Sequence, residues 1–162
     1  LLKKSIVDAL NRQVNREFYS AYLYLAMSAY CESANMKGFA KWLNVQAKEE
    51  QSHGNKIYDY ILAAGGTVHL AAIEAPQQSW PSMLALFEEV YAHEQKVSGM
   101  IHDLIVTARK ETDFATEDLL MWFAKEQVEE EANALEIVEK IKALGDITGH
   151  LFWMDHQMGK RE

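Results

Sequence analysis

The chain has 162 residues, 49% hydrophobic and 25% charged, a composition that suits one globular domain with a sizeable core. A formal net charge of −8 argues against nucleic acid or an anionic membrane surface as partner and favours cations. The longest uncharged run, Phe18 to Cys31, is about fourteen residues and carries Ser and Tyr, short of the roughly 20 apolar residues of a membrane span.

Cys31 stands alone, so no internal disulfide forms and a reducing cytoplasm is the expected location. No secretory leader is read in the opening residues. With only two prolines and eight glycines, the chain is expected to form long helices.

Lys4 to about Ser33 carries the stripe Ile6, Leu10, Gln13, Glu17, Ser20, Tyr24, Met27, Cys31 at helical spacing. Glu17 interrupts it at mid-length, and Tyr24, seven residues on, falls about 20° away on the same face. The short connection Asn35-Met36-Lys37-Gly38 makes the next helix, about Lys37 to Ala64, an antiparallel neighbour. Its stripe is Phe39, Leu43, Gln46, Glu50, His53, Ile57, Tyr60 and Ala64. Gly65-Gly66 stops it.

Thr67 to Pro81 lacks helical periodicity, and Pro81 suits the first turn of the following helix. Extended, this connection reaches about 50 Å, longer than a helix of roughly 28 residues at about 42 Å. It can therefore cross the whole bundle and start the third helix parallel to the second. That helix, Ser82 to about Lys110, has the stripe Met83, Phe87, Val90, Glu94, Val97, Ile101, Leu104, Ala108. Thr112-Asp113 starts a fourth, with Leu120, Phe123, Gln127, Glu130, Ala134, Ile137, Ile141 and Leu144. Gly145-Asp146 ends it, and Ile147 to about Met158 is read as a short fifth helix on Ile147, His150, Leu151 and Met154. The expected fold is all-α: a four-helix bundle of two antiparallel pairs joined by a long crossover, plus the short fifth helix, in a single domain over residues 1–162. Trp42 and Tyr30 lie off the stripes and are read as outward apolar surface for self-association.

Each long helix thus has a polar break near its midpoint: Glu17, Glu50 with His53, Glu94, and Gln127 with Glu130. Midpoints of similar helices meet at one level of a bundle whatever their direction. A single Glu on a stripe is ordinarily an edge residue and a lone His a satisfied core histidine. Four coincident breaks argue for more, because clustered buried carboxylates cannot all ionise without cations. Two divalent ions would balance four carboxylates, and carboxylate oxygens with one imidazole favour iron, manganese or zinc. Tyr24 is by default a core aromatic bonded to a carboxylate, and beside an oxidisable centre also a one-electron donor. The run Glu129-Glu130-Glu131 suits a solvated face. Glu126 one turn from Glu130, and Glu49 beside Glu50, leave room for a weaker third metal position at the edge.

Four segments together resemble the bacterial non-haem ferritins across nearly the whole chain. They are Asn15-Arg16-Glu17-Phe18-Tyr19-Ser20-Ala21-Tyr22, Glu49-Glu50-Gln51-Ser52-His53, Glu94-Gln95, and Glu126-Gln127-Val128-Glu129-Glu130-Glu131. The resemblance implies a di-iron centre with Glu17, Glu50 and His53 on the first iron and Glu50, Glu94 and Glu130 on the second, Glu50 bridging. It implies Gln127 hydrogen-bonding near the oxygen-binding side, and a third iron site of Glu49, Glu126, Glu129 and Glu130. It further implies a hollow homo-oligomer of 24 subunits that oxidises Fe(II) with dioxygen or hydrogen peroxide and stores the Fe(III) as mineral. Gln51 stands where bacterioferritins carry a haem-ligating Met, so haem is not expected. The fourth helix lacks the second Glu-x-x-His of symmetric di-iron enzymes, which suits iron that leaves after oxidation. The alternative function is a di-metal oxygenase or peroxidase of the same superfamily acting on an organic substrate.

Overall fold

In a computed structural model the described residues are 2–145 and 147–162, so Asp146 of the expected helix stop lies outside them. Among these residues five helices run in order, α1 (Lys4–Ser33), α2 (Lys37–Ala63), α3 (Met83–Lys110), α4 (Phe114–Leu144) and α5 (Thr148–Met158). The four long helices form a bundle in which α1 pairs chiefly with α2 and α3 with α4, while α5 packs on α2. No helix among the described residues is long and apolar enough to cross a membrane.

Helix ends follow from local chemistry. α1, α2 and α3 each close on a left-handed residue, Asn35, Gly65 and Thr112. The next amide in each case reaches back five residues: Met36 N to Cys31 O at 2.9 Å, Gly66 N to Ile61 O at 2.8 Å, and Asp113 N to Ala108 O at 2.9 Å. Ser82 caps α3 by accepting from Ala85 N, and Asp113 caps α4 by accepting from Thr116 N. Pro81 therefore precedes the cap rather than occupying the first turn, because the Ser82 hydroxyl takes the capping place.

The crossover between α2 and α3 has no regular structure, yet hydrogen bonds pin it along α1. Asn11 Nδ2 donates to Thr67 O at 2.9 Å, Asn15 Nδ2 donates to Ala72 O at 3.1 Å, and Arg16 pairs with Glu74 at 3.0 Å. At its far end the Tyr30 hydroxyl donates to Trp80 O at 2.7 Å. The loop thus travels the length of α1 from start to finish. The end of α1 meets the start of α3, and Lys3 meets Glu111 at the opposite pole, so α3 is antiparallel to α1 and parallel to α2.

The stripe residues of α1 and α3 are all buried, as are those of α4 apart from half-buried Leu144. They form two apolar clusters, one around Met27, Phe39, Leu43, Phe87 and Ile137, the other around Leu10, Ile57, Ile101, Leu120 and Phe123. Full burial of such side chains is worth about 1.5–3 kcal/mol each. Between the clusters lies the polar layer of helix midpoints.

Two expectations are corrected. Trp42 is buried against Phe87, and Tyr30 is half-buried on Trp80, so neither faces outward. The exposed aromatics are instead Tyr22, Phe114, Trp122, Phe152 and Trp153. In α5 only Met154 of the expected stripe is buried; Ile147 and His150 are exposed and Leu151 is half-buried. Met154, Leu151 and Met158 pack α5 on the core, and close contact with the start of α2 fixes it there. A side chain at Gly38 would meet Asp155 O at 1.6 Å, and Asp155 Oδ1 accepts from Phe39 N at 2.9 Å, placing a carboxylate at the otherwise uncapped start of α2.

Candidate metal centre

The polar layer is assembled from one or two side chains per helix. On α1, Glu17 Oε1 accepts from Gln13 Nε2 at 2.7 Å, whereas Glu17 Oε2 is buried with no partner at hydrogen-bond geometry among the described residues. On α2, Glu50 Oε1 accepts from Gln46 Nε2 at 3.3 Å, and Glu50 Oε2 lies 3.2 Å from His53 Nδ1. The His53 ring packs edge-on against the Trp122–Phe123 pair, 5.7 Å from each.

The α3 and α4 side is more heavily hydrogen-bonded. The Tyr24 hydroxyl donates to Glu94 Oε1. Gln127 Nε2 donates to the Glu94 carbonyl and to Glu94 Oε2, both at 3.1 Å, and to Ser98 Oγ at 3.3 Å. Glu130 Oε2 accepts from Gln46 Nε2 at 2.7 Å, so one amide of α2 serves carboxylates on two helices.

Among the described residues three groups of potential donor atoms result, each with its atoms within 4.8 Å of one another: Glu17, Glu50 and His53; Glu50, Glu94 and Glu130; and His53, Glu126 and Glu130. Glu50 belongs to both inner groups. Of the remaining expected residues, Glu126 is half-buried in the outer group, while Glu49 and Glu129 are exposed and outside all three. Glu49 Oε2 is bound instead by Arg161 Nη2 at 2.8 Å.

Electrostatics explains what this arrangement requires. Burial, reinforced by Glu94, raises the Glu17 carboxyl to about 7 against the Gln13 hydrogen bond, and burial followed by Glu94 raises Glu130 to about 8. Glu50 is pushed well above the carboxylate range by burial and then by Glu94, Glu17 and Glu130; burial also raises Glu94. Burial, aided by Lys56, lowers His53 to about 4, leaving a neutral ring with a free lone pair near neutrality. Alone, the cluster stays balanced by holding protons. Divalent cations bound here would displace those protons and give Glu17 Oε2 a partner. The donors, oxygen with one imidazole, fit iron.

Some participants were not assigned from the sequence. Gln13 and Gln46 precede Glu17 and Glu50 by four residues, a spacing at which helix side chains meet, so that signal was present. Trp122 and Arg161 approach from distant positions and carried none. His93, beside Glu94, bonds Ser20 Oγ at 2.7 Å and packs edge-on against Tyr24 at 5.8 Å.

Comparison with known proteins agrees with the geometry. The ferritin-like domain family matches residues 7–144. The bacterial non-heme ferritin of Staphylococcus saprophyticus is 41% identical over 161 residues, spanning 99% of this chain and 96% of that protein. That of Bacteroides fragilis is 40% identical, spanning 99% of this chain and all of the relative, 100%. Among solved structures, an open-pore ferritin from the hyperthermophilic archaeon Archaeoglobus fulgidus superposes with a TM-score of 0.99 at 46% identity, covering 100% of both chains. On sequence, fold and match alike, the chain belongs to the ferritin family.

Proposed function

We propose that the protein stores iron, taking up Fe(II) as substrate, oxidising it with dioxygen and releasing Fe(III) to a mineral inside a closed shell of 24 subunits. The observation that carries this reading is the pair of three-donor groups sharing Glu50 at the centre of the bundle. Glu17, Glu50 and His53 hold one ion, and Glu50, Glu94 and Glu130 the other, with Glu50 between them. Holding two ions together places both electrons needed for one dioxygen at a single site. Two Fe(II) and two protons reduce one dioxygen to hydrogen peroxide and leave two Fe(III).

The protein's contribution is electrostatic and positional. Carboxylates lose their protons as the ions bind and then favour the higher charge of Fe(III). Gln127 and Tyr24 fix Glu94 from opposite directions, and Gln46 fixes Glu130. The outer group, with Glu126, Glu130 and the neighbouring Glu49 and Glu129, is a weaker third position. An oxygenase acting on an organic substrate would need an apolar cavity against the metals. The apolar surface cavity of about 460 Å³ lined by Phe18, Tyr22, Leu25 and Ile73 is bordered by none of the candidate ligands.

Light scattering of the purified protein combined with iron counting tests the proposal. A shell that retains many iron atoms per subunit after aerobic loading is expected. A persistent monomer or dimer, or iron held at two per subunit without mineral, would overturn storage.

A further inference from the structure

The most strongly anchored cation near the metal centre is Arg161, in the short segment after α5. Its guanidinium lies over the Trp42 ring, 4.4 Å from the centroid, and Nη1 donates to the Trp42 carbonyl at 3.2 Å. Nη2 donates to Gln46 Oε1 at 3.0 Å and to Glu49 Oε2 at 2.8 Å. The side chain is only 20% exposed, so this is a seated residue rather than a mobile surface charge.

Both acceptors bear on the centre. A glutamine amide has one acceptor end and one donor end. With Arg161 on Oε1 of Gln46, Nε2 is turned inward onto Glu130 at 2.7 Å and Glu50 at 3.3 Å. Glu49, meanwhile, is drawn to the guanidinium and is missing from the outer donor group formed by His53, Glu126 and Glu130.

We propose that Arg161 is a positioning residue that keeps the outer metal position closed: it occupies Glu49 as an internal cation and holds the Gln46 amide against Glu130. This rests on the reading of Glu50, Glu94 and Glu130 as iron donors. A guanidinium in hydrogen-bond contact with Glu49 competes for the lone pairs a metal ion would use and repels the ion as well. The two inner positions therefore fill first. The outer one fills only as a divalent cation takes Glu49 from Arg161, which frees the segment from Trp42 and Gln46. Lys41 Nζ, bonded to Gly159 O at 3.0 Å, keeps that segment tethered nearby.

The test is calorimetric titration of the intact oligomer with Zn(II), which is redox-inert, in the wild type, Arg161→Ala, Arg161→Lys and Glu130→Ala. In Arg161→Ala the weakest zinc equivalent is expected to tighten about tenfold, or to become measurable where the wild type shows none, with the number of tighter equivalents unchanged. Arg161→Lys, which keeps the charge but loses the fork, falls between. Hydrogen exchange of residues 159–162 in the wild type is expected to rise as that last equivalent fills. An unchanged weakest equivalent in Arg161→Ala, or exchange insensitive to its filling, overturns the proposal. A Glu130→Ala variant that keeps every zinc equivalent overturns the iron-site reading beneath it.

Discussion

The two inner positions use similar donors in different surroundings. At the first, Glu17 keeps one buried oxygen with no hydrogen-bond partner among the described residues and His53 is held as a neutral ring. At the second, both unshared carboxylates are already engaged: Glu94 by Tyr24 and Gln127, Glu130 by Gln46. An ion entering the first position satisfies an unpaired group, whereas one entering the second must share or displace existing hydrogen bonds. Affinity therefore reflects what surrounds the ligands as well as their chemical type. The first position should fill first and hold longer, and the second should yield its ion, as passage of iron to a store requires.

The largest effect is expected at the shared residue. Glu50→Ala removes a donor from both groups, so anaerobic Fe(II) titration is expected to lose about two tight equivalents per subunit. Separate substitutions break the comparison more selectively. Glu17→Ala is expected to abolish the tighter equivalent and Glu130→Ala the weaker one, each leaving about one equivalent behind. If both variants lose the same equivalent, the two positions are not distinct and the asymmetry drawn here is wrong.

Much of this centre was legible in the sequence because helical periodicity is strict. Glu17, Glu50, His53, Glu94, Gln127 and Glu130 each break an apolar stripe, and all six are buried at one level. The crossover's length gave the direction of α3, but its path along α1 depends on Asn11, Asn15 and Arg16, polar residues that look like ordinary surface until the loop lies on them. Trp42 looked outward because it lies off the stripe of α2, while the Arg161 guanidinium that covers it comes from 119 residues away. Resemblance puts Glu49 in a third iron site, and nothing in its spacing signals that Arg161 bonds it. Spacing along a helix reports neighbours on that helix and carries nothing about a cation arriving from another segment.

The metal-free centre offers a pH test. Glu130 holds its proton to about 8 in the folded chain against an ordinary value of 4.5, so between those values the folded state binds more protons. That contribution to stability is complete below the lower value and is lost as pH rises through the upper one. Glu17, raised to about 7, acts in the same sense. His53 and His93, both lowered to about 4 from 6.5, oppose it by losing stability as pH falls through that lower range. Above about pH 6.5 the carboxylates alone remain, so the melting temperature of metal-free protein should fall between about pH 6.5 and 8. Zn(II) should flatten the fall by replacing the protons. A metal-free melting temperature that is level across this range would show carboxylates already ionised and no protonated layer.

The smallest effect concerns Tyr24, the one aromatic hydroxyl among the described residues that donates to a candidate ligand. It is fully buried, and burial with the nearby Glu94 and Glu50 charges pushes its own ionisation well above the phenol's usual value, so it stays a hydrogen-bond donor. Tyr24→Phe removes that bond from Glu94 but leaves Gln127 on the other oxygen, so both metal equivalents should persist. Two Fe(II) supply two electrons, and reducing dioxygen to water takes four. A third Fe(II) at the outer position and an oxidisable phenol bonded to Glu94 can supply the other two, one each, and without the phenol oxidation should slow or yield more hydrogen peroxide. A purely bracing role predicts only the loss of one hydrogen bond, about 1 kcal/mol of stability. Stopped-flow oxidation with a peroxide assay separates the two. Equal rates and equal peroxide yield in wild type and variant would leave Tyr24 as packing, and the second position would differ from the first only in the donors that hold its carboxylates.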